Sequence, residues 1–394
     1  MKGNLLIMHG GAPTAVINAS LYGVIEEARQ NDLVNRILAS DGGTGGFLAG
    51  AILDLTDVPQ EKLDLLAQTP GSAIGTSRDH LEMEDYSLMA AKLEKLGVSY
   101  VLMTGGNGTM DTCKKLSDAC RAKGIVVCGI PKTMDNDLSK TDHSPGFASA
   151  ARYLAGSVRE VAQDVKGLAI HVVVVEAFGR DAGWLAASSV LAREKEGDAP
   201  HMILCPETPF DEEAFLARVK SLYEEKGGVV VVASEGLRYK DGKPIVEPIF
   251  TVGRATYFGD VSAYLAQLII KKLGIKARSE KPGILGRASA AWMSSVDRDE
   301  AIACGREAVK AVTSGKHAHM AAIERGSTDP YEFRIITIPI DEEVIKARVL
   351  PDLYIDADHF DIDPTYGTWL SPLVGGELGS FISFRKNKEY HYGS

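Results

Sequence analysis

Features that define several large classes of protein are missing from this chain of 394 residues. No apolar run approaches the roughly 20 residues that a membrane-spanning helix needs, and no signal-peptide cleavage pattern follows the short apolar start. No segment is repetitive or of low complexity, and hydrophobic residues make up 45% of the chain. We therefore expect no membrane partner and an ordered globular protein with one large domain or two smaller ones.

Excess positive charge and paired cysteines are missing as well. The formal net charge is −10, which argues against a nucleic-acid partner, although a local basic pocket stays possible. The 5 cysteines are scattered, with no CxxC or Cys/His spacing that would bind zinc. We expect them to be small core residues in a reducing cytoplasm.

One acidic motif is the main candidate for a functional site, and the other motifs of the chain are interpreted in relation to it. The stretch IPKTMDND, residues 130–137, follows an apolar run that is typical of a buried parallel strand. It holds two carboxylates, Asp135 and Asp137, preceded by Lys132 and Thr133. At the carboxyl end of a parallel strand, one carboxylate can accept a hydroxyl proton, a second can hold a metal and a lysine can neutralise phosphate charge. The alternative is a solvated Asp-Asn-Asp turn.

Glycine-rich turns follow three other predicted strands. They are HGGAP at 9–13, DGGTGG at 41–46 and TGGNGT at 104–109. Glycine lets backbone amides approach an anion closely, and a helix N-terminus favours negative charge. No turn has the GxxxxGK[ST] or GxGxxG spacing. Glycine-rich and acidic strand ends that share one edge of a sheet predict a phosphate and metal site.

Two arginines are candidates for this site, each with a plain structural alternative. Arg78, in the loop GSAIGTSRD, offers a forked cation for phosphate, or it follows a helix start that Ser77 caps. Arg180 ends a predicted buried strand, where it binds a sugar or phosphate group, or pairs with Asp181 or Glu176.

Other charged residues sit at similar places. Glu235 lies near the end of another predicted strand, VVVVASEG, and so places a carboxylate at the carboxyl end of that strand. Arg278 and Arg287 lie in a basic loop, residues 275–289, which binds an anionic substrate or forms a solvated basic face.

Strands that alternate with helices predict an α/β fold of two doubly wound domains with mainly parallel sheets. A donor and catalytic domain is expected over residues 1–146, with the chain returning to it at about 288–315. A sugar-phosphate acceptor domain is expected over 147–287. Residues 316–394 are expected to form a C-terminal extension with a single strand, RIITIPI, and no readable chemistry.

The chain resembles the phosphofructokinase family over about residues 4–315. The matching stretches, in the family's order and spacing, are GGAPTAVIN, GTSR, GGNGTMDT, PKTMDND, TDHSPGF, EAFGRDAGW, ASEG, and EKPGILGRAS followed by DRDEA. The resemblance implies a phosphofructokinase-like fold and transfer of a terminal phosphoryl group to the 1-hydroxyl of fructose 6-phosphate. It also implies Mg²⁺ as cofactor and a homodimer or homotetramer whose acceptor sites are shared between chains.

The resemblance also assigns roles to individual positions. It implies that Asp135 is the catalytic base, beside Lys132 and Thr133, and that Asn107 and Asp137 lie at the metal. The residues expected to contact the donor are Gly11, Arg78, Gly106, Asn107, Gly108 and Thr109. The residues expected to contact the sugar phosphate are Thr133, Asp137, His171, Phe178, Gly179, Arg180, Glu235, Arg278 and Arg287.

Two positions depart from the family's pattern on the acceptor side. The family usually has an arginine, donated across a subunit interface, where this chain has His171, and a methionine where it has Phe178. Histidine meets phosphate only when protonated and lacks the bidentate fork of arginine. Fructose 6-phosphate is the expected acceptor. Another sugar phosphate, such as sedoheptulose 7-phosphate, is the alternative, and a non-catalytic sugar-phosphate sensor is a more distant one.

Two residues give opposite indications about the donor. At the position of Gly108, pyrophosphate-using relatives typically carry an aspartate, which repels a nucleotide's α-phosphate by charge and volume. Lys132 is typical of pyrophosphate users, whereas many nucleotide users have glycine there. A lysine beside phosphates is compatible with either donor, and the excluding carboxylate is missing. We therefore expect ATP with Mg²⁺ as the donor, with pyrophosphate as the alternative.

Overall fold

The computed structural model describes residues 2–168, 171–252 and 255–385. Its strands are β1 (Gly3–His9), β2 (Val34–Ser40), β3 (Ile52–Asp54), β4 (Val98–Gly105), β5 (Val126–Pro131), β6 (Val172–Ala177), β7 (Met202–Leu204), β8 (Val229–Ser234), β9 (Pro248–Val252), β10 (Ala255–Phe258), β11 (Ala277–Glu280), β12 (His319–Thr328), β13 (Tyr331–Pro339), β14 (Ile355–Asp356) and β15 (Asp361–Ile362). Its α-helices are α1 (Ile17–Arg29), α2 (Gly43–Ala49), α3 (Gln60–Leu66), α4 (Met83–Lys95), α5 (Asn107–Cys120), α6 (Phe147–Gly167), α7 (Trp184–Ser188), α8 (Glu212–Lys226), α9 (Val261–Leu273), α10 (Leu285–Ala288), α11 (Ser295–Thr313), α12 (Glu342–Ile345) and α13 (Pro364–Leu370).

The larger sheet has seven strands in the order β13-β12-β5-β4-β1-β2-β3. The pairs from β2 through β1, β4 and β5 to β12 are parallel, and the edge strands β3 and β13 are antiparallel. The inner strands are continuous apolar runs, such as LLIM in β1, because both of their faces are buried. Since β1, β4 and β5 run in one direction, the polar motifs that follow them lie at one edge of the sheet.

The smaller sheet has four parallel strands in the order β11-β6-β8-β7. Its inner strands β6 and β8 consist largely of buried valines, which pack into apolar cores on both faces of the sheet. Phe178 and Glu235 follow these two strands directly, at their carboxyl ends. The predicted α/β fold with mainly parallel sheets is thus confirmed.

Helix α11 crosses α1 so closely that glycine is required on each helix. A Cβ added to Gly23 would lie 2.1 Å from the carbonyl oxygen of Ile302. A Cβ added to Gly305 would lie 2.2 Å from the carbonyl oxygen of Ser20. The chain therefore runs beside the first helix again at 295–313, within the segment expected to return. The domain limits themselves stay a prediction.

The C-terminal extension differs from its expected form. In place of a single strand, β12 and β13 form a long hairpin that joins the larger sheet, with β12 parallel to β5. The start of β12 was missed because residues 320–323 are buried in a row, so they show no alternation of polar and apolar side chains. Residues 386–394 of the expected extension lie outside the described part of the chain.

The glycine-rich segment DGGTGG forms the start of α2, where the sequence suggested a loop. Gly42 and Gly50, on either side of the helix, have left-handed φ angles of 97° and 83°. A Cβ on Gly46 would lie only 1.8 Å from the carbonyl oxygen of Asp41. The glycines therefore permit tight helix ends and a close approach of the backbone.

The cysteines are core residues, as predicted. All of those that the sequence contains, at positions 113, 120, 128, 205 and 304, are buried and unpaired. Burial raises the pKa of the Cys113 and Cys304 thiols well above their usual value, which keeps them as unreactive thiols. Within the residues that the structure describes, no helix is both long enough and apolar enough to cross a bilayer.

Candidate active site

The acidic motif forms an enclosed turn at the end of β5. The hydroxyl of Thr133 accepts a hydrogen bond from the Asp135 backbone N–H and donates one to Oδ1 of Asp137, both at 3.1 Å. Asn136, between the two carboxylates, is 0% exposed and has a left-handed φ of 55°. Lys132 is also buried, at 4% exposure. The alternative of a solvated Asp-Asn-Asp turn is therefore wrong.

Asp135 lies close to charged side chains that follow strands of both sheets. The pKa of its carboxyl is raised to about 7: burial and the charges of Asp137 and Glu235 raise it, and the charges of Arg180 and Lys132 oppose the shift. Among the described residues, Oδ1 of Asp135 has no hydrogen-bond partner although it is enclosed. This oxygen is therefore free to accept a proton from a hydroxyl group placed in the cleft.

Lys132 lies at the floor of the first glycine-rich turn. Its Nζ donates a hydrogen bond of 2.7 Å to the carbonyl oxygen of Ala12. The pKa of Lys132 is lowered to about 8: burial and the charges of Arg78 and Arg287 lower it, and the charge of Asp135 opposes the shift. Three cations thus meet in one place, and an anion bound there would relieve their mutual repulsion.

The loop that carries Arg78 packs against the same turn. Gly10 and Ser77 form a β-bridge, and the Gly11 N–H donates to the carbonyl oxygen of Ser77 at 2.9 Å. The following helix begins only at Met83, so the alternative in which Ser77 caps a helix is wrong. Arg78 is exposed beside the turn, where its guanidinium can reach a bound phosphate.

Arg287 lies at the donor side of the cleft within one chain. Its Nη1 donates to the carbonyl oxygen of Pro13 at 2.5 Å, and its own carbonyl accepts from the Ala15 N–H at 2.9 Å. Burial, together with the charge of Arg78, lowers the pKa of Arg287. A role at the sugar 6-phosphate stays a prediction for this residue.

The third glycine-rich turn brings Asn107 to the acidic motif. Asn107 is the first residue of α5, and its Nδ2 donates to Oδ2 of Asp137 at 2.8 Å. The Oδ1 atoms of Asn107 and Asp135 are enclosed and have no partner in the described part of the chain. Carboxylate and amide oxygens suit Mg²⁺, which binds few protein ligands and keeps waters and substrate phosphates. The residues therefore fit the expected cation.

The protein would supply very few of the ligands of a bound Mg²⁺. In residues 2–168, 171–252 and 255–385 no group of three or more His, Cys, Asp or Glu side chains could hold a metal ion. Asn107 and Asp137 would supply an amide and a carboxylate, so most of the coordination would come from water and phosphate oxygens.

Gly108 and Thr109 occupy different surroundings in the same turn. A Cβ added to Gly108 would meet no atom within 4 Å, and the residue is exposed. The Thr109 side chain packs under the first turn, 2.4 Å from a Cβ built on Gly10. Gly106 precedes α5 as its N-cap. The space beside Gly108 is open, as expected from the missing side chain.

The opposite wall of the cleft carries the expected sugar contacts. Gly179 has a φ of 135°, and an added Cβ would lie 2.4 Å from the carbonyl oxygen of Ala182. This tight turn exposes Arg180, whose backbone N–H donates to Oε1 of Glu235 at 3.3 Å. Asp181 and Glu176, the alternative partners of Arg180, pair instead with other basic residues. The Phe178 ring packs near Gly286, 3.3 Å from a Cβ built there.

His171 and Arg278 lie away from this cleft within one chain. His171 precedes β6 and Phe178 follows it, so the strand separates them by roughly 20 Å at its usual rise per residue. Arg278 pairs with Val173 near the start of β6. Burial and the charge of Arg278 lower the pKa of His171. The structure therefore groups these two expected sugar-phosphate contacts with each other and apart from Asp135.

A buried charge network behind the acidic motif was missed by sequence analysis. His143 bonds Asp142 at 2.8 Å through Nδ1 and Glu300 at 2.6 Å through Nε2. Burial lowers the pKa of His143, but Glu300 and Asp142 outweigh this and raise it to about 9. Arg325, from β12, donates to Asp142 at 2.9 Å. Glu300 and Arg325 are distant in sequence from the adjacent pair Asp142 and His143, so no local pattern indicates the network.

The pKa values of Asp135 and Lys132 predict a narrow bell-shaped dependence of kcat/KM on pH. A base must be ionised, so activity is expected to rise as pH approaches the pKa of Asp135, about 7. A phosphate-binding lysine must be protonated, so activity is expected to fall above the pKa of Lys132, about 8. Steady-state kinetics between pH 5.5 and 9.5, corrected for ionisation of the substrates, measure both limbs.

The variant Lys132→Met serves as the control for this profile, because it should lose the alkaline limb and keep the acid limb. A kcat/KM that does not fall between pH 7 and pH 5.5, as for a base with the ordinary aspartate pKa of about 4, would contradict the prediction.

The chain is similar to known proteins over nearly its whole length. Residues 4–312 match the family model described as phosphofructokinase. A pyrophosphate–fructose 6-phosphate 1-phosphotransferase of Xanthomonas campestris pv. campestris (strain B100) is 38% identical over 392 residues, which covers 95% of this chain and 92% of that protein. The protein of the same name from Halomonas elongata is 34% identical, with the same coverage of 95% and 92%. The crystal structure of a pyrophosphate-dependent phosphofructokinase from Marinobacter aquaeolei has a TM-score of 0.87 at 34% identity and covers 98% of this chain and 94% of that chain.

Proposed function

The chain belongs to the phosphofructokinase family and is a phosphotransferase of that type, and from this we propose that its donor is pyrophosphate and its acceptor fructose 6-phosphate. The products are then fructose 1,6-bisphosphate and orthophosphate. The expectation of ATP as donor is not confirmed, because relatives that are 33–38% identical to this chain over nearly its whole length are named for pyrophosphate. The alternative donor weighed from the sequence fits those relatives better.

The observation that carries the proposal is the position of Lys132. Its ammonium group is buried at the first glycine-rich turn, and the charges of Arg78 and Arg287 act on it. Pyrophosphate concentrates its negative charge on two phosphates and has no other part to bind, so a compact group of cations suits it. A buried lysine also offers a fixed charge for the orthophosphate that leaves.

ATP stays the second candidate because of Gly108. The open space beside this glycine leaves room for a third phosphate and a nucleoside. An open space permits a nucleotide without attracting it, whereas the charge at Lys132 attracts phosphate. We therefore give the charge of Lys132, which attracts phosphate, more weight than the absence of an excluding carboxylate at Gly108.

Asp135 and Lys132 divide the chemistry between them. The C1 hydroxyl oxygen of the sugar attacks the nearer phosphorus while its proton passes to Oδ1 of Asp135. The bond from that phosphorus to the bridging oxygen breaks, and the electron pair stays on the orthophosphate beside Lys132. Asn107 and Asp137 would hold Mg²⁺, which would supply positive charge to the phosphoryl oxygens.

The acceptor is held in part by Arg180 and Glu235 on the opposite wall. Oε1 of Glu235 already fixes the backbone of Arg180, so the two residues act as one unit. His171 and Arg278 lie elsewhere in the same chain, and we propose that they serve the acceptor site of a second copy in a homodimer or homotetramer. Because His171 lacks the fork of arginine, sedoheptulose 7-phosphate stays an alternative acceptor.

The proposal is tested by steady-state kinetics with Mg²⁺, two donors and three acceptors. With fructose 6-phosphate, kcat/KM for pyrophosphate is expected to exceed that for ATP by about 100-fold or more, a ratio typical of sites that discriminate by polar contacts. Sedoheptulose 7-phosphate tests the acceptor, and unphosphorylated fructose tests the need for the distal phosphate. Higher kcat/KM with ATP would overturn the donor, and equal use of fructose would overturn the acceptor.

A further inference from the structure

An arginine of the C-terminal extension forms several hydrogen bonds with the acidic turn. Arg348 donates four side-chain hydrogen bonds of 2.8–3.0 Å, to the carbonyl oxygen and Oδ1 of Asn136 and to the carbonyl oxygens of Thr141 and Asp142. Its backbone N–H also donates to the carbonyl oxygen of Asp137 at 2.9 Å. Every nitrogen of the guanidinium group is used, so its planar fork is matched to this loop.

Arg348 binds the residue that separates the two carboxylates in the chain. Asn136 lies between Asp135 and Asp137 with a left-handed φ of 55°, a conformation that is uncommon for a residue with a side chain. The Oδ1 of Asn136 accepts from the Ser144 N–H at 3.0 Å as well as from Arg348. Removing the guanidinium group would take away the donor to the carbonyl oxygen of Asn136 and leave its Oδ1 with the Ser144 N–H alone.

The same segment also touches the opposite wall of the cleft. Two residues after Arg348, the Leu350 N–H donates to Oε1 of Glu207 at 2.7 Å. That oxygen also accepts from the Gly183 N–H at 2.8 Å, in the loop that carries Arg180. The Arg348 guanidinium carbon lies 4.7 Å from the centre of the Trp184 ring, which follows Gly183. Residues 348–350 therefore connect the base side of the cleft with the sugar side.

We propose that Arg348 is a positioning residue that holds the Asp135–Asp137 turn at a fixed place relative to the sugar-binding wall. On the base side, Arg348 acts through Asn136. On the sugar side, it acts through Trp184 and through the contact between Leu350 and Glu207. Arg348 does not itself touch substrate. The inference rests on the proposed role of Asp135 as base. A base misplaced by about 1 Å can lose roughly 10²-fold in rate while the binding groups stay in place.

The experiment compares Arg348→Lys and Arg348→Ala with the wild type, each with whichever donor the wild type uses. Lys346→Ala is the matched control, because it removes a neighbouring exposed cation of the same segment. We expect Arg348→Ala to lower kcat by about 10²-fold, with KM for donor and acceptor changed less than threefold. Arg348→Lys keeps the charge but not the fork, so it is expected to recover only part of this loss.

A second readout separates positioning from general loss of structure. Added guanidinium ion at low millimolar concentration is expected to restore part of the kcat of Arg348→Ala, whereas equal concentrations of sodium chloride or urea are not. If Arg348→Ala fails to fold, the split between kcat and KM in Arg348→Lys decides the question. A wild-type kcat in Arg348→Lys together with no guanidinium rescue overturns the inference, as does a loss that lies entirely in KM. If the wild type uses ATP and not pyrophosphate, the proposed donor is wrong, but the comparison of the Arg348 variants with the wild type still tests the role of Arg348.

Discussion

Asp135→Asn is expected to lower kcat by about 10²–10⁴-fold, the usual contribution of a general base. Asparagine keeps the shape of the side chain and cannot accept a proton from the sugar hydroxyl. The lost interaction is made in the transition state, so KM for both substrates should change much less than kcat. Pre-steady-state and steady-state kinetics at pH 8, where Asp135 is mostly ionised given its pKa of about 7, measure the loss at its largest.

The acid limb of the pH profile gives an internal check on this variant. Since the limb is assigned to Asp135, it should disappear in Asp135→Asn, and the residual rate should no longer rise between pH 6 and 8. Asp118→Asn, an exposed carboxylate on α5, is the control and should behave as wild type. A variant that keeps most of the wild-type kcat would remove Asp135 from the role of base.

Replacing Lys132 is expected to change the use of donors. Loss of a buried cation at the transferring phosphates should lower kcat/KM for pyrophosphate by about 10²–10³-fold, as for removal of one preorganised donor at a developing charge. Lys132→Met removes the charge and keeps much of the volume, whereas Lys132→Gly removes both. Steady-state kinetics of both variants with each donor separate the two effects.

The two variants should respond differently to ATP if volume matters. Glycine at this position enlarges the space beside Gly11, since Nζ of Lys132 is 3.4 Å from a Cβ built there. Any gain in ATP use is therefore expected in Lys132→Gly and not in Lys132→Met. Undiminished turnover of pyrophosphate in Lys132→Met would show that its charge is not needed by the donor.

The base side of the site could be predicted because it is encoded locally. Strands β1, β4 and β5 are apolar runs followed at once by glycine or acidic turns, and parallel strands place such ends at one edge. The sequence therefore indicates that Gly11, Asn107 and Asp135 lie close together. The hydrogen bond between Asn107 and Asp137 is what that pattern leads one to expect.

Contacts between distant segments could not be predicted in this way. Nothing near Arg287 in sequence indicates that it binds the carbonyl of Pro13, and nothing near Arg348 indicates that it holds Asn136. Such placements depend on how sheets and helices pack, which local patterns do not specify.

The proposed donor differs from the ATP expected from the sequence, and the difference depends on how two residues are weighed. The missing carboxylate at Gly108 was given more weight than the lysine at position 132. Absence of repulsion does not create affinity, whereas a buried ammonium group beside two arginines attracts a small dense anion. A fixed attractive charge is therefore the more informative feature of this site.

The central claim is tested most directly by ³¹P NMR of one tube that contains the protein, Mg²⁺, fructose 6-phosphate and equal amounts of pyrophosphate and ATP. Both donors compete for the same site, so differences between preparations cancel. We predict that the pyrophosphate resonance declines while orthophosphate and a second sugar phosphomonoester resonance appear together, and that the three ATP resonances persist. Loss of the ATP γ-phosphate resonance with formation of ADP, while pyrophosphate stays unchanged, would contradict the account.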